Sequence, residues 1–396
     1  MPLTGIKVLD LSRVLAGPWC SQTLADLGAD VWKIEEPGRG DDTRAWMPPE
    51  IAGESTYYMA ANRSKRSMGV DLKHPEGQRI VREMAAKADV LVENYKKGTL
   101  ERFGLGYEDL SALNPRLVYC SISGYGRTGP RADEPGYDAV IQAESGLMSI
   151  TGEPDGRPLK HGMAIADLVT GLSATQAVLA ALLARARTGK GQLIDVALFD
   201  CAVALLANMA SGHIVTGDVP RRYGNAHPTL APYQTFETED GDFVLAVGND
   251  GQFRALCERV IERPELAADP RFANSRARVI NREALIPELA ASFRKRKTAH
   301  WIAALQREKV PCGQVRDLGQ VFASPEITAR EMVAEVLDSR HGRLKLMRSP
   351  LALRGTPTRP PTAPPRLGEH TDTLLAEVLG LGESEIKALR ASGAVS

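Results

Sequence analysis

Short apolar runs and helix-period segments alternate through the first 125 residues. "IKVLDLS" reads as a buried strand, "GPWCSQTLADLG" as a helix closing on glycine, and "ADVWKIEEP" as a second strand stopped by Pro37. "HPEGQRIVREMAAKA" sets Pro75 near a helix start with apolar residues at helical spacing, and "DVLVENY" and "RLVYCSISGYG" read as further strands. Strands alternating with helices predict an α/β fold. Its sheet is mostly parallel and takes ligands at the carboxyl ends of its strands. The run "MAIADLVTGLSATQAVLAALLARA" (163–186) reads as a buried helix. Its Ser, Thr, Gln and Arg residues mark it as a core helix, not a membrane span.

The pattern changes after that helix. "TGKGQLIDVALFD" gives a turn and a strand, and a long apolar segment fills 197–216. From 225 to 330 the pattern is that of a smaller α+β domain. It holds a strand pair, "YQTFETEDGDFVLAVG", with Asp240-Gly241 at the turn, followed by charged helices such as "REALIPELAASFRKR". Residues 354–366, "RGTPTRPPTAPPR", form a proline-rich extended connector, and the last 30 residues read as helical. A chain of 396 residues exceeds one ordinary core. The expected division is a large domain over 1–200, a linker over 201–224, the small domain over 225–330, and a return linker with a C-terminal segment over 331–396.

Lys+Arg and Asp+Glu are both 49, so the net charge is zero and nothing in it favours nucleic acid or a membrane surface as partner. The five cysteines (Cys20, Cys120, Cys201, Cys257, Cys312) are scattered and never in a C-x-x-C pair, which fits a reducing cytoplasmic compartment. "MPLTGIKVLDLS" enters a strand directly, without the basic and apolar regions of a secretory leader.

Most familiar chemistries find no support. The seven histidines show no H-x-x-x-H spacing or Cys/His cluster, so no metal site is expected. "RTGKGQ" has the wrong spacing for a phosphate loop and precedes a strand; "LSRVLAGPWC" carries one glycine where a dinucleotide fingerprint needs three; no G-x-S-x-G elbow occurs. Cys20 reads as a small buried thiol. There remains Asp167, at the front edge of the apolar helix. Position alone favours a helix-capping acid there.

Several segments in order resemble the class III CoA-transferases, the family of formyl-CoA transferase and carnitine CoA-transferase. They are "LDLSRVLAGPWCSQTLADLGADVWKIEEPGRGDDTR" (9–44), "NRSKRSMGVDLK" (62–73), "DVLVENYKKGTLERFGLGYEDL" (89–110), "LVYCSISGYGRTGP" (117–130), "PGYDAV" (135–140), "IADLVTGLSA" (165–174), "GKGQLIDVALFD" (189–200), "GNDGQF" (248–253) and "RLGEHT" (366–371). "GDDTR", "ESTYY", "GLMSITG" and "PYQTF" further resemble members that exchange CoA between succinate and glutarate. The resemblance implies a Rossmann-like large domain, a smaller domain and an interlocked homodimer whose C-terminal segment packs on the large domain. It implies an enzyme passing CoA between carboxylic acids, with succinyl-CoA as donor and a small dicarboxylate such as glutarate as acceptor. Coenzyme A is then substrate and product, and no cofactor is held tightly.

The resemblance makes Asp167 the catalytic residue, and its chemistry is sensible. A carboxylate attacking a thioester gives a mixed anhydride, and returning CoA thiolate gives an aspartyl-CoA thioester. Acyl activation is kept throughout if water is excluded. Gly248 and Gly251 match the family's glycine loop, whose N–H groups stabilise tetrahedral intermediates, while Asn249 and Asp250 between them make this version less glycine-rich. Lys65, Arg66, Arg102 and Tyr137 match its CoA-binding positions. A dicarboxylate needs a cation for its far end, and Arg44, Arg127, Lys160 and Arg222 are the candidates. Two departures from formyl-CoA transferase, Leu15 for glutamine and Glu36 for arginine, imply a different acyl pocket. The competing reading is an α-methylacyl-CoA racemase of the same fold, but racemases carry histidine where this chain has Tyr137, a poor base at neutral pH. A CoA-binding protein without turnover and a thioesterase are the remaining alternatives.

Overall fold

The computed structural model describes residues 1–396. The chain divides into two compact units, one of residues 1–147, 160–217 and 328–396, the other of 148–159 and 218–327. The short stretch 148–159 thus belongs with the smaller unit, where Gly224 N–H donates to the Gly152 carbonyl (3.0 Å). The sequence division had assigned it to the large domain.

The larger unit holds six parallel strands: β1 (Lys7–Asp10), β2 (Asp30–Glu35), β3 (Arg66–Gly69), β4 (Val90–Glu93), β5 (Val118–Ser123) and β6 (Gln192–Ala197). Their spatial order is β3-β2-β1-β4-β5-β6, so the direction of progression reverses between β1 and β4. In such a sheet the crevice at that reversal is where ligands bind. The strands are nearly all apolar because both faces are covered. On one face Val8, Val31, Val90, Val92, Val118, Cys120 and Ile122 pack under helix α1 (Ala16–Asp26) and the long helix α4 (Ile165–Thr188). On the other, Leu9, Trp32, Ile34, Leu91 and Tyr119 pack under helix α2 (Pro75–Lys87) and the C-terminal residues Leu374, Leu375, Ile386 and Leu389. The chain end is tied to β3, with Ser396 N–H donating to the Gly69 carbonyl at 3.1 Å.

Helix α4 is long and apolar enough, by length and composition, to cross a membrane. Here Ala166, Thr170, Ala174, Val178 and Ala181 are buried against the sheet and α1. Near its end Arg185 is buried and donates to Asp89 Oδ1 (2.8 Å) and to the carbonyls of Asp89 and Arg116. The structure also holds an antiparallel hairpin, Val333–Asp338 with Gly342–Met347, in the stretch read from sequence as a return linker. It packs Leu344 and Leu346 on Met59, a small separate cluster with no apolar run in the sequence to announce it.

The smaller unit is built on three antiparallel strands, Tyr233–Glu237, Asp242–Ala246 and Cys312–Gln314. The hairpin turn spans 238–241, where Thr238 N–H donates to the Gly241 carbonyl at 2.8 Å. Phe236, Phe243, Phe293 and Trp301 form its aromatic core, with ring centroids of 5.0 to 6.2 Å between neighbours.

Candidate active site

The helix carrying Asp167 is not capped by its own residues. Its N-cap, Ala164, supplies no side-chain hydrogen bond. The cap comes from Asp138, at the start of helix α3 (Asp138–Glu144): Oδ1 accepts the N–H groups of Ala166 (2.8 Å) and Asp167 (3.3 Å). Gln142, one turn along α3, holds Asp138 Oδ2 through Nε2 (2.6 Å) and accepts the His161 N–H on Oε1 (2.8 Å). The capping reading of Asp167 is therefore corrected: a neighbouring acid does the capping, and the Asp167 carboxylate is left without a hydrogen bond.

That arrangement sets the acidity of Asp167. Burial, joined by the negative charge of Asp138, pushes its pKa from the usual 3.8 up to about 7. Because the folded value is raised, the folded protein binds this proton more readily than the unfolded chain. The stability it contributes is fully present below pH 3.8 and is lost as pH rises to about 7. Asp138→Asn keeps an oxygen for the two amides and removes the charge. It is expected to move the titration midpoint of Asp167 below 7, read by carboxyl NMR or by the acid limb of the pH–rate profile; an unmoved midpoint would assign the shift to burial alone.

The segment before α3 is fixed by two glycines. A Cβ on Gly124, just past β5, would lie 2.6 Å from the backbone nitrogen of Gly136. This close backbone approach holds 135–137 on the end of the sheet and so sets where Tyr137 and Asp138 stand.

Asp167 and Tyr137 line one cleft of about 190 Å³ with Arg13, Val14, Leu15, Asn94, Lys96 and Lys97. Arg13 and Tyr95 are shared with a second cavity of about 370 Å³, which Arg39, Lys73, Thr99, Arg102 and Phe103 also line. Both open beyond the carboxyl ends of β1, β2 and β4, at the reversal of strand order. The larger cavity offers cations to an anion: Arg102 is exposed and makes no ion pair, while Lys73 reaches Glu36 only at 3.5 Å.

The other expected site residues are differently placed. Lys65 is wholly buried. Its ammonium donates to Asp10 Oδ2 (3.1 Å), the Pro18 carbonyl (3.0 Å) and Asn62 Oδ1 (2.9 Å), so all three donors are occupied and none remains for a phosphate. Its assignment to CoA is corrected on that ground. Arg66 pairs with Asp30 (3.4 Å) and Glu377 (2.7 Å) at the C-terminal segment. Arg44 is bidentate to Glu35 (both 2.7 Å) and stacks on Tyr58, and Arg127 is held by Glu93 (3.2 Å), Ser121 (2.9 Å) and Glu101. These two arginines are committed to glutamates, which corrects their place among cations for a substrate carboxylate. Lys160 is exposed and donates to the His161 carbonyl (3.1 Å).

Two sets belong to the smaller unit. Arg222 donates to the carbonyls of Glu153 (3.1 Å) and Gly156 (2.7 Å), an internal brace. In the glycine loop the Gly248 N–H donates to Gln252 Oε1 (2.8 Å), and Asn249 Oδ1 accepts the Gln252 N–H (2.9 Å) as a helix cap. Sequence reasoning missed Asp138, Arg13 and the lysine pair. "PGYD" was visible as a motif, but its acid acts on a helix 28 residues away.

With this geometry in view, comparison with known proteins is informative. The family described as CoA-transferase family III matches residues 3–371. The chain is 46% identical over 384 residues to the succinate–glutarate CoA-transferase of Agrobacterium fabrum, covering 95% of this chain and 96% of that one. It is 42% identical over 394 residues to the succinyl-CoA:glutarate CoA-transferase of Homo sapiens, covering 100% of this chain and 90% of that one. Among solved structures, a CAIB/BAIF family protein from Brucella suis superposes with a TM-score of 0.86 at 46% identity, covering 96% of this chain and 99% of that one. With the family matched from the first strand to the start of the C-terminal helices and relatives above 40% identity over nearly their whole length, the chain belongs to CoA-transferase family III.

Proposed function

We propose that this enzyme passes coenzyme A from succinyl-CoA to glutarate or a similarly small dicarboxylate, with Asp167 as the nucleophile. The observation that carries this reading is a half-buried carboxylate without a hydrogen bond, in the wall of a cleft that shares Arg13 and Tyr95 with a larger cavity lined by Arg39, Lys73 and Arg102 together with Glu35, Glu36 and Asp71 at the ends of parallel strands. The names of the Agrobacterium and human relatives support the acid pair.

In the first half-reaction an Asp167 oxygen attacks the succinyl thioester carbonyl, the C–S bond breaks, and CoA thiolate leaves a mixed anhydride. The thiolate then attacks the Asp167 carbonyl, giving an aspartyl-CoA thioester and free succinate, which carries away one oxygen from the enzyme. Glutarate reverses the sequence and returns one of its own oxygens to Asp167. No acyl group meets water while activated, so the exchange is nearly thermoneutral. With its pKa near 7, raised by burial and by the charge of Asp138, Asp167 is only partly ionised in the free enzyme at neutral pH.

The adenine and phosphate end of CoA belongs in the larger cavity on Arg102 and Lys73, with Tyr137 at the reacting end. The reading includes a Rossmann-like large domain, N–H donors from the loop at Gly248 and Gly251, with Gly248 first released from Gln252, CoA bound only as substrate, and a cytoplasmic setting in keeping with five free cysteines. It also includes an interlocked homodimer. Leu183 on α4 is 68% exposed, and Ile214 and Val215 are 80% and 83% exposed, the apolar surface a partner copy would cover.

A panel of mono- and dicarboxylic acids, each incubated with succinyl-CoA and read by mass for new CoA esters, tests the function. Glutaryl-CoA is the expected main product. Release of free CoA without an acceptor would indicate a thioesterase, and exchange at the α-carbon without transfer a racemase.

A further inference from the structure

With Arg44 and Arg127 committed to glutamates, the cations facing the Asp167 cleft are Arg13, Lys96 and Lys97. Both lysines are exposed. Arg13 is half-buried, and its Nε is shut off from solvent without a hydrogen-bond partner. Its one ion pair is long: Nη1 lies 3.4 Å from Asp42 Oδ2, while the other oxygen of Asp42 is taken by Arg39 at 2.5 Å. Nη2 makes no hydrogen bond within the protein and is not enclosed, so the guanidinium can take a further acceptor there.

The backbone around Arg13 is fixed with unusual thoroughness. Asn94, just beyond β4, accepts the Arg13 N–H on Oδ1 (2.8 Å) and donates Nδ2 to the Arg13 carbonyl (2.7 Å). The next residue, Val14, has φ +70°, a left-handed conformation that strains a β-branched side chain. It is held there by Asp41, whose Oδ1 accepts the Val14 N–H (3.2 Å) and whose Oδ2 is paired with buried Lys33 (2.9 Å). The loop is thus pinned from the ends of two strands, and the Arg13 side chain departs from a rigid base. The guanidinium also stands over the Tyr95 ring, 5.1 Å from its centroid. The Nη1–Nη2 edge of this planar group, with Nη2 unpaired, matches a carboxylate.

We propose that Arg13 binds the distal carboxylate of the acid exchanged at Asp167 and so favours dicarboxylates over monocarboxylates. This rests on the CoA-transferase reading above. The strained loop keeps the guanidinium at a fixed place in the cleft, and Leu15 beside it is apolar.

The test compares glutarate with valerate, the same chain without the second carboxylate, as acceptors from succinyl-CoA and, separately, from butyryl-CoA. Arg13→Met is expected to lower kcat/KM for glutarate from butyryl-CoA by about 100-fold, mainly through KM. Valerate from butyryl-CoA is expected to stay within about threefold, which also shows that the variant folds. Arg13→Lys, which keeps the charge without the fork, is expected to recover part of the glutarate rate. An equal fall for both acids, or no fall for either, would overturn the proposal. If the unaltered enzyme passes CoA to neither acid from either donor, the transferase reading itself fails before any variant is made, and the proposal falls with it.

Discussion

Asp167→Asn is expected to lower succinyl-CoA:glutarate exchange by about 10⁴-fold or more while leaving CoA affinity within about threefold. The side chain is close to isosteric and lies outside the hydrogen bonds that fix the helix start, since Asp138 bonds only the backbone N–H groups of Ala166 and Asp167. What changes is the chemistry, because an amide neither attacks a thioester nor forms an anhydride. The variant should also be no less stable. Asparagine removes a poorly solvated carboxyl that burial and Asp138 hold at about 7, so the loss of stability between pH 3.8 and about 7 should shrink along with activity. Chemical unfolding at pH 5 and pH 8 reads that change. Exchange near the native rate would remove Asp167 from the mechanism.

The second large effect is on folding. Asp10 and Lys65 lie together in the interior, both side chains wholly buried. Burial would raise the pKa of Asp10, but Lys65, Lys33 and the hydroxyls of Ser12 and Ser21 outweigh it and bring it down to about 2. A depressed carboxylate contributes stability that is present above 3.8 and lost as pH falls to about 2. Lys65→Met leaves that charge short of a partner. The expected loss is about 3 kcal/mol at pH 7, the lower end for a broken buried pair because Lys33 and both hydroxyls still face Asp10. The deficit should narrow as acid protonates Asp10, and Lys65→Met with Asp10→Asn should recover more than half of it. Denaturant midpoints at pH 7 and pH 4 read both effects. Full stability with weakened CoA binding would return Lys65 to the cofactor-binding set it held on sequence grounds.

These two residues also mark how far the sequence could be read. Strand and helix positions in the larger unit were legible because the sheet is covered on both faces, so its strands are compact apolar runs between helix-period segments. Asp167 stood out as an acid opening an apolar helix. What its surroundings do was not legible. Asp138 caps that helix from 28 residues away, and Lys65 meets its partner Asp10 55 residues away. The lysine in "NRSKRS" matches a CoA-binding segment in sequence, and only its partner shows it to be buried. Arg44 and Arg127 were sensible candidates by type, and only tertiary structure reveals the glutamates that occupy them. Arg13 attracted no notice because an unsatisfied nitrogen leaves no trace in sequence.

The central claim is that Asp167 itself is acylated and thioesterified in each turnover. Its oxygen balance is distinctive: every cycle delivers one acceptor oxygen to the Asp167 carboxylate and sends one enzyme oxygen out in succinate. Enzyme turning over with succinyl-CoA and glutarate labelled with ¹⁸O in its carboxylates, then digested and read by mass, should carry ¹⁸O in the peptide containing Asp167. Unlabelled Asp167 after many turnovers, with glutaryl-CoA formed, would contradict the account.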